Sequence, residues 1–243
     1  MQKVYAHRGA SGYAPENTLE AFELAVRQGA HGVELDVHLS KDGEVVVAHD
    51  ETIDRVANGS GIIQEMTLAE LKKYRFNKTV PSYEKATIPT LREVYELLGP
   101  AGLSVNVELK NNAYAYEGME EKCIALAAEM GMTDRVLYSS FNHYSLLHVK
   151  ELDASLPCGL LYSATMVRPW EYARSLGMDA IHPHYAQLLV PNLVHDAHEN
   201  NVLVNPWTVD EASHLRLVFK TGADIIITNY PDRALEILHN TAG

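Results

Sequence analysis

Three acidic residues lie where their side chains could share one metal ion. Glu34 and Asp36 are two positions apart in the apolar run 32–37, so both point to the same face if that run forms a strand. Glu108 lies in a second apolar run, residues 105–110. Carboxylates brought together repel each other unless a cation lies between them, and their oxygen atoms favour Mg²⁺, Ca²⁺ or Mn²⁺. Salt bridges to nearby basic residues are the alternative explanation.

Two histidines form the second group of candidate functional residues. His7 ends the first apolar run of the chain, and His49 follows another, residues 45–48. Histidine changes its charge near neutral pH, so two histidines beside a metal site can serve as a general acid and a general base. A hydrogen-bonded structural histidine is the alternative at each position. Which of the two would be the acid depends on how a substrate is oriented.

Two basic residues and a tryptophan complete the set. Arg8 follows His7, and Lys110 lies two residues after Glu108 and therefore shares its face. A guanidinium can clamp phosphate oxygens and an ammonium can bind them as a point charge. Trp207 ends a later strand-like run and either walls a pocket or packs at a rim.

Positioning these residues requires a fold that brings many strand ends together. Short apolar runs alternate with amphipathic stretches, such as residues 119–130 and 212–220, which predicts strand–helix units and a parallel sheet. Eight strands are predicted, beginning near positions 4, 32, 105, 136, 159, 180, 202 and 224. Eight units predict an α/β fold closed into a (β/α)8 TIM barrel, whose active face lies at the C-terminal ends of the strands. A doubly wound open sheet is the alternative, disfavoured because no GxGxxG follows a strand.

One segment interrupts this alternation. The dipeptide Asp42-Gly43 stands between two β-prone runs, which predicts a hairpin in which residues 44–50 run antiparallel to the second strand. If the loop has two residues, Lys41 faces Glu44. The same register then places His49 opposite Asp36, beside the carboxylates.

The hairpin also defines the expected domain organisation. Residues 40–87 are predicted to form an insertion after the second strand, within one barrel domain that spans residues 1–243. The insertion contains a predicted capping box, Thr67 to Glu70, at the start of a short helix.

Composition excludes several classes of function. The formal net charge is −12, from 20 basic and 32 acidic residues, which argues against nucleic acid or an anionic membrane as a partner. No apolar run is long enough for a membrane span, and the N-terminus lacks the pattern of a signal peptide. The only cysteines, Cys123 and Cys158, form no CxxC pair and suggest small buried residues in a reducing compartment. We therefore predict a cytoplasmic protein.

Taken in order, the motifs resemble those of the glycerophosphodiester phosphodiesterase family. They run along nearly the whole chain: His7-Arg8-Gly9, Pro15-Glu16-Asn17-Thr18, Glu34-Leu35-Asp36-Val37, Lys41-Asp42-Gly43, His49-Asp50-Glu51-Thr52, Asn106-Val107-Glu108-Leu109-Lys110, Ser139-Ser140-Phe141, Trp207-Thr208-Val209 and Ile227-Thr228-Asn229-Tyr230-Pro231. Each motif is weak by itself, whereas the ordered set is highly specific.

The resemblance implies a function and a role for each candidate residue. The expected reaction is metal-dependent hydrolysis of a small-molecule glycerophosphodiester to sn-glycerol 3-phosphate and an alcohol, with one divalent ion, Mg²⁺ or Ca²⁺, as cofactor and Mn²⁺ as a further option. Attack by water and closure of a cyclic phosphate by a substrate hydroxyl are both compatible with it. The implied roles are catalytic for His7 and His49, metal-binding for Glu34, Asp36 and Glu108, and substrate-binding for Arg8, Lys110 and Trp207.

The sequence departs from the family pattern at three positions. Asp210 stands where many relatives have Asn, Asn229 stands where Asp is common, and His182 occupies a position often held by Asn. None belongs to the acid/base pair or the carboxylates, so we expect activity to be retained and fine specificity to differ. His182 and His184 share a strand face, and a role in the core or in support of the site is favoured for both.

Three other functions compete with this interpretation. A lysophospholipase D-like or sphingomyelinase D-like phosphodiesterase would need a surface for an acyl chain, and no exposed apolar stretch is obvious in the sequence. A catalytically silent barrel that only binds phosphodiesters is disfavoured by the intact histidines and carboxylates. A metal-dependent aldolase or isomerase is disfavoured because neither a Schiff-base context nor a sugar motif is present.

Overall fold

Alternating apolar runs in the sequence become alternating strands and helices in the computed structural model, which describes residues 1–241. The strands are β1 (Lys3–His7), β2 (Gly32–Leu39), β3 (Val45–Val47), β4 (Ser104–Leu109), β5 (Val136–Ser140), β6 (Cys158–Tyr162), β7 (Ala180–Pro183), β8 (Leu203–Val204) and β9 (Ile225–Thr228). The helices are α1 (Leu19–Arg27), α2 (Leu68–Leu71), α3 (Leu91–Ala101), α4 (Met119–Glu129), α5 (His143–Leu152), α6 (Pro169–Ser175), α7 (Leu193–Glu199), α8 (Ala212–Thr221) and α9 (Pro231–Thr241). Short 3₁₀ helices cover Ile63–Glu65, Thr133–Arg135 and Tyr185–Leu189.

Eight of these strands form a parallel barrel. Their order is β8-β7-β6-β5-β4-β2-β1-β9, and each neighbouring pair is parallel. Backbone hydrogen bonds close the seam between β8 and β9: Asp224 N donates to Val204 O at 2.8 Å, and Ile227 N donates to Pro206 O at 3.1 Å. The predicted (β/α)8 barrel is confirmed. Because the strands are parallel, their C-terminal ends all lie at one rim.

Strand β2 shows how the barrel separates its core from its site. Val33, Leu35 and Val37 are fully buried and belong to the main apolar cluster, together with helical residues such as Phe22. The alternate residues of the strand point to the opposite face, which is the barrel interior. The strand therefore contributes side chains to the apolar layer under the helices and to the polar interior of the barrel.

Strand β3 pairs antiparallel with β2, as the hairpin prediction required, but the predicted register is wrong by one residue. Val37 pairs with Val47, and Ala48 N donates to Asp36 O at 3.0 Å. Ala48, and not His49, therefore lies opposite Asp36. His49 still reaches the rim because the chain leaves the ladder after Val47.

The loop of the hairpin explains the error. It contains three residues, 41–43, and is closed by a hydrogen bond from Gly43 N to Ser40 O at 2.9 Å. A two-residue type I′ turn needs positive φ at both positions, but only Gly43 of this dipeptide has it, at 80°. The Asp42 carboxylate instead accepts hydrogen bonds from Ser40 Oγ and from Leu68 N, at the start of α2.

The segment between β3 and α3 packs around a second apolar cluster. Its buried members are Val46, Ala48, Ile53, Val56, Ala57, Ile63, Leu71, Phe76 and Ile88. Val46 points to this cluster while its neighbours Val45 and Val47 join the main core. The predicted capping box is confirmed, because Thr67 and Glu70 each accept a hydrogen bond from the other's backbone N–H.

The cysteines and the helices bear on two further expectations from the sequence. Cys123 and Cys158 are buried and unpaired, as predicted. Among the described residues, no helix combines the length and apolarity that crossing a membrane requires. The cytoplasmic location stays a prediction.

Candidate active site

The three predicted carboxylates meet at the C-terminal rim of the barrel. Glu34, Asp36 and Glu108 are only 4%, 0% and 8% exposed, and one oxygen of each lies within 4.8 Å of the others. Strands β2 and β4 bring them together, since Asp36 lies beside Glu108 in the ladder. We call these three residues the acidic triad.

Burial makes the acidic triad hard to charge fully. Burial and the nearby carboxylates raise the pKa of Glu34 well above its usual value and that of Glu108 to about 7. Burial also opposes ionisation of Asp36, but Arg8, His49 and Lys110 hold its pKa below the usual range. The basic residues around the acidic triad therefore do not supply enough positive charge to keep all three carboxylates ionised.

The acidic triad fits a hard divalent cation. All of its donor atoms are carboxylate oxygens, which Mg²⁺, Ca²⁺ and Mn²⁺ prefer. One of them, Asp36 Oδ1, is buried and has no hydrogen-bond partner. The salt bridges considered from the sequence are also present, from Arg8 Nε to Asp36 Oδ2 at 3.3 Å and from Lys110 Nζ to Glu108 Oε1 at 3.1 Å. Two basic groups face three carboxylates, so the ion pairs and a cation site are compatible.

His7 lies beside the acidic triad. Its Nε2 is 3.9 Å from Glu34 Oε2, and its Nδ1 is 2.7 Å from Asn229 Oδ1. Burial and the neighbouring Arg8 lower the pKa of His7 to about 4. The imidazole is therefore neutral near pH 7.

His49 approaches the acidic triad by way of Lys110. Its Nδ1 lies 2.7 Å from Asp50 Oδ1, and its Nε2 lies 3.2 Å from Lys110 Nζ. The side chain is 32% exposed, about twice the 15% of His7. The structure thus brings both predicted histidines to one rim, where His7 adjoins Glu34 and His49 adjoins Lys110.

Arg8 is held in place by its backbone and its side chain. Its φ of 56° lies in the left-handed region, which is uncommon for a residue other than glycine. Its Nη1 donates to Glu16 Oε1 at 2.9 Å. The following residue, Gly9, also has positive φ, and a Cβ there would lie 2.6 Å from the backbone of Ala21. A glycine is therefore required directly after Arg8.

Arg55 links the segment after β3 to both sides of the site. Its two terminal nitrogens each donate to a different oxygen of Glu16 at 2.7 Å, and its Nε donates to Asp50 Oδ2 at 2.7 Å. Glu16 contacts Arg8 and Asp50 contacts His49. Arg55 therefore braces one candidate phosphate-binding residue and one candidate catalytic residue.

Trp207 lines a small cavity at the centre of the rim. The cavity is bounded by His7, Arg8, Glu34, Asn106, Glu108, Ser139, Phe141, Leu161, Trp207 and Ile227. The indole Nε1 donates to His182 O at 2.7 Å, and the ring meets Phe141 edge to face. Trp207 thus lines the same cavity as Glu34 and Glu108, two members of the acidic triad.

Comparison with known proteins assigns the chain to a family. The sequence model of the glycerophosphoryl diester phosphodiesterase family matches residues 7–233. The chain belongs to this family. It is 43% identical over 236 residues to a glycerophosphodiester phosphodiesterase from Caldanaerobacter subterraneus subsp. tengcongensis, covering 97% of each chain. It is 38% identical over 242 residues to a glycerophosphodiester phosphodiesterase from Bacillus altitudinis, covering 98% of each.

Solved structures agree with this assignment. An Oleispira antarctica phosphodiesterase in complex with the product sn-glycerol-3-phosphate is 33% identical, with a TM-score of 0.87 over 98% of this chain and 97% of that one. A glycerophosphodiester phosphodiesterase from Agrobacterium tumefaciens is 27% identical, with a TM-score of 0.85 over 97% of this chain and all of that one.

The three departures from the family pattern lie around the active site of this phosphodiesterase. Asp210 and Asn229 contact each other, with Asn229 Nδ2 donating to Asp210 Oδ2 at 2.6 Å. His182 is fully buried and accepts a hydrogen bond from Asn205 at 2.9 Å. His184 lies against Tyr185 and the edge of Trp207. His182 therefore lies in the buried interior and His184 packs beside Trp207, and a supporting role for both stays a prediction.

Sequence reasoning assigned no role to several residues that hold the site. Glu16, Asn17 and Asp50 belong to motifs that were recognised, and Asn17 Nδ2 donates to Asp36 Oδ2 at 2.9 Å. Polar residues at fixed places in those motifs were the available signal. No sequence pattern marked Arg55, because its partner Glu16 is 39 positions away.

Proposed function

We propose that this phosphodiesterase hydrolyses glycerophosphodiesters to sn-glycerol 3-phosphate and an alcohol, with a divalent metal ion bound by Glu34, Asp36 and Glu108. The observation that carries the proposal is the buried acidic triad with a histidine on each of two sides. The sn-glycerol-3-phosphate bound by the Oleispira antarctica relative supports the proposed product. The proposal includes the insertion 40–87 as part of one domain, since its Arg55 reaches the site.

The metal ion is proposed to be Mg²⁺, Ca²⁺ or Mn²⁺. When bound, it supplies positive charge that neutralises the acidic triad and offsets the charge of the substrate's phosphate oxygens. Arg8 and Lys110 add positive charge at the same rim, and this local charge is needed because the protein as a whole carries −12. Trp207 bounds the space in which the organic part of the substrate is held.

His7 and His49 are proposed to move the protons of the reaction. Hydrolysis needs one group to take a proton from the attacking oxygen, which belongs either to water or to a hydroxyl of the substrate; in the second case water then opens the cyclic phosphate in a further step. A second group gives a proton to the oxygen of the departing alcohol as its bond to phosphorus breaks. Each histidine has Nδ1 engaged by a neighbour, Asn229 or Asp50, and turns Nε2 towards the centre, where Nε2 of His49 lies 3.2 Å from Lys110 Nζ. The orientation of the diester decides which histidine is the base.

The proposal is tested with purified protein and glycerophosphocholine. Release of sn-glycerol 3-phosphate is measured after exhaustive chelation and after adding back Mg²⁺, Ca²⁺ or Mn²⁺ separately. We expect chelation to abolish turnover and at least one ion to restore it. Full activity in chelated protein would contradict metal dependence, and no release of sn-glycerol 3-phosphate under any condition would contradict the reaction.

A lysophospholipase D-like activity is the second candidate, favoured by an apolar groove that the sequence did not reveal. The groove has a volume of about 310 Å³ and is lined by Tyr185, Ala186, Leu188, Leu189, His214, Leu217, Val218 and Thr221. Aromatic contacts run from Trp207 through His184 to Tyr185, with ring centroids 5.6 Å and 4.7 Å apart. An acyl chain leaving the pocket past Trp207 would reach this groove.

Matched substitutions separate the two candidates. Leu217 lines the groove and is 59% exposed, whereas Leu203 lies on β8 and is 46% exposed. If the groove binds an acyl chain, Leu217→Glu lowers turnover of lysophosphatidylcholine but not of glycerophosphocholine, and Leu203→Glu changes neither. Wild-type protein that leaves lysophosphatidylcholine intact would eliminate this candidate.

A further inference from the structure

A chain of hydrogen bonds runs from Asp210 to His7. Asp210 Oδ2 accepts from Asn229 Nδ2 at 2.6 Å, and Asn229 Oδ1 lies 2.7 Å from His7 Nδ1. Asp210 Oδ1 accepts from Asn229 N at 2.9 Å and from Thr228 Oγ1 at 3.1 Å. The carboxylate is therefore fixed by three donors, and it contacts the side chain that holds the histidine.

The Asp210 carboxylate determines which group donates and which accepts in each hydrogen bond from Asp210 to His7. A carboxylate accepts hydrogen bonds and donates none, so the amide of Asn229 must turn its NH₂ group towards Asp210. Its oxygen then faces His7. An amide oxygen can only accept, so His7 Nδ1 must carry the proton. The other ring nitrogen, Nε2, is left with a free lone pair on the side of Glu34.

The opposite orientation of Asn229 is excluded by Asp210. A flipped amide would place its oxygen against the Asp210 carboxylate, so that two acceptors met at 2.6 Å with no proton between them. The Ser11 hydroxyl, 2.7 Å from both Asn229 Oδ1 and His7 O, is compatible with either orientation, because it can donate to one and accept from an amide NH₂. The amide orientation is thus decided by Asp210.

We infer that Asp210 is a positioning residue which, acting through Asn229, fixes the tautomer of His7 so that Nε2 is unprotonated towards the acidic triad. This inference rests on the proposed function, in which His7 is one of the acid/base pair. Asp210 follows β8 and Asn229 follows β9, so the chain spans the seam where the barrel closes. Asn229 transmits the direction of the hydrogen bonds while keeping the negative charge of Asp210 out of contact with the ring.

The direct test is the tautomer of His7, measured by ¹⁵N NMR of the ring nitrogens in the neutral form. The signals are assigned by their loss in His7→Gln, which is necessary because the chain has 12 histidines. We expect a protonated Nδ1 and an unprotonated Nε2 in the wild-type protein. In Asp210→Asn, the oxygen of the new amide still accepts from Asn229 N, so its NH₂ group faces the Asn229 side chain, whose amide should flip and move the proton of His7 to Nε2. A wild-type His7 with its proton on Nε2 would overturn the inference, whatever the variants do.

Turnover gives the functional readout. Asp210→Asn should lower kcat about 10- to 100-fold, a loss within the usual contribution of a positioned acid or base. KM should stay within about twofold, because the substrate contacts are unchanged. The exchange variant Asp210→Asn/Asn229→Asp puts a carboxylate directly against Nδ1, and the amide at position 210 can donate to it. This exchange should restore the single wild-type tautomer and bring kcat to within about threefold of wild type.

A matched control removes a nearby carboxylate that takes no part in the hydrogen bonds from Asp210 to His7. Asp232 lies three positions after Asn229 and contacts the Tyr13 hydroxyl at 3.0 Å. Asp232→Asn should leave the tautomer and kcat unchanged. If Asp210→Asn keeps wild-type kcat and the wild-type tautomer, or if the exchange variant folds but restores neither, Asp210 does not act through Asn229. If His7→Gln keeps full turnover, the proposed role of His7 fails instead, while the NMR result still decides what Asp210 does.

Discussion

The Lys110 ammonium lies 3.2 Å from Nε2 of His49. An ammonium can only donate, so this nitrogen must be an acceptor and the proton of a neutral His49 must lie on Nδ1, which faces Asp50 at 2.7 Å. His7 has the same arrangement, with Asn229 at Nδ1. The two histidines therefore present the same ring nitrogen to the centre, although different neighbours orient them.

Replacing Lys110 tests this relationship. Lys110→Met keeps much of the length of the side chain but removes the ammonium beside His49, Glu108 and the proposed phosphate position. We expect kcat/KM for glycerophosphocholine to fall by about 100-fold, through lost charge and lost orientation of His49. Lys122→Met is the matched control, since the Lys122 ammonium donates to Gly43 O at the hairpin loop. Equal losses in both variants would refute a specific role for Lys110.

Removing either histidine should stop proton transfer without unfolding the site. We expect His7→Gln and His49→Gln each to lower kcat by roughly 10²–10⁴-fold, the usual contribution of a positioned acid or base. Metal affinity, measured by calorimetry, should change little because neither histidine is a proposed ligand. Should His49→Gln keep the wild-type rate, His49 would be a structural residue.

The metal site can be tested independently of activity. Glu108→Gln keeps the size of the side chain but removes one of three charged ligands. The affinity for Mg²⁺, Ca²⁺ or Mn²⁺ should fall by more than the roughly 10- to 100-fold that follows loss of an outer hydrogen-bond partner. Glu129→Gln serves as the control, because Glu129 pairs with Arg92 on the surface. Titration calorimetry with each ion provides the measurement, and unchanged affinity in Glu108→Gln would exclude this residue as a ligand.

The sequence was sufficient for the barrel and the acidic triad because both follow from local periodicity. Apolar runs separated by amphipathic stretches predicted the eight barrel strands, and among these β8 alone is markedly shorter than its run, with two residues. The spacing of Glu34 and Asp36 placed both on one face without reference to any other part of the chain. Such patterns involve residues that are close together in the sequence, so they are recognisable before the fold is known.

Contacts between distant segments explain what the sequence did not predict. The hairpin register depends on Asp42, which binds Leu68 N, 26 positions away. The brace of Arg55 depends on Glu16, and the contact of Asp210 with Asn229 crosses the barrel seam. These pairs satisfy hydrogen-bonding groups only after the fold has formed, so no periodicity marks them.

The brace formed by Arg55 can be tested without removing its charge. Arg55→Lys keeps a cation near Glu16 and Asp50 but cannot bind both with the planar guanidinium geometry. We expect kcat to fall about tenfold with little change in KM, because Arg8 and His49 lose their fixed positions. Arg75→Lys is the control, since Arg75 is exposed on the same segment. A normal kcat in Arg55→Lys would show that the brace does not position the site.

His182 gives a prediction about stability and pH. Burial lowers its pKa to about 3, whereas an unfolded histidine titrates near its ordinary value of 6.5. Between these values the unfolded chain binds a proton at this residue and the folded protein does not. The free energy of unfolding therefore falls as pH falls, by about 2 kcal/mol between pH 7 and pH 5 for this group. Above pH 7 the group is neutral in both states and the effect vanishes.

His182→Asn removes this proton uptake. Whatever the variant costs at pH 7, the difference in unfolding free energy between it and the wild type should move in its favour by about 2 kcal/mol on going to pH 5, because all other titrating groups cancel. Urea unfolding at pH 7, 6 and 5 provides the measurement. His148 is a control of opposite sign, because hydrogen bonds to Glu121 and Glu151 raise its pKa, and its exposure makes the effect small. For His148→Asn the difference should therefore drift slightly against the variant as pH falls. A difference that stays constant for His182→Asn would mean that His182 is protonated in the folded protein at pH 5.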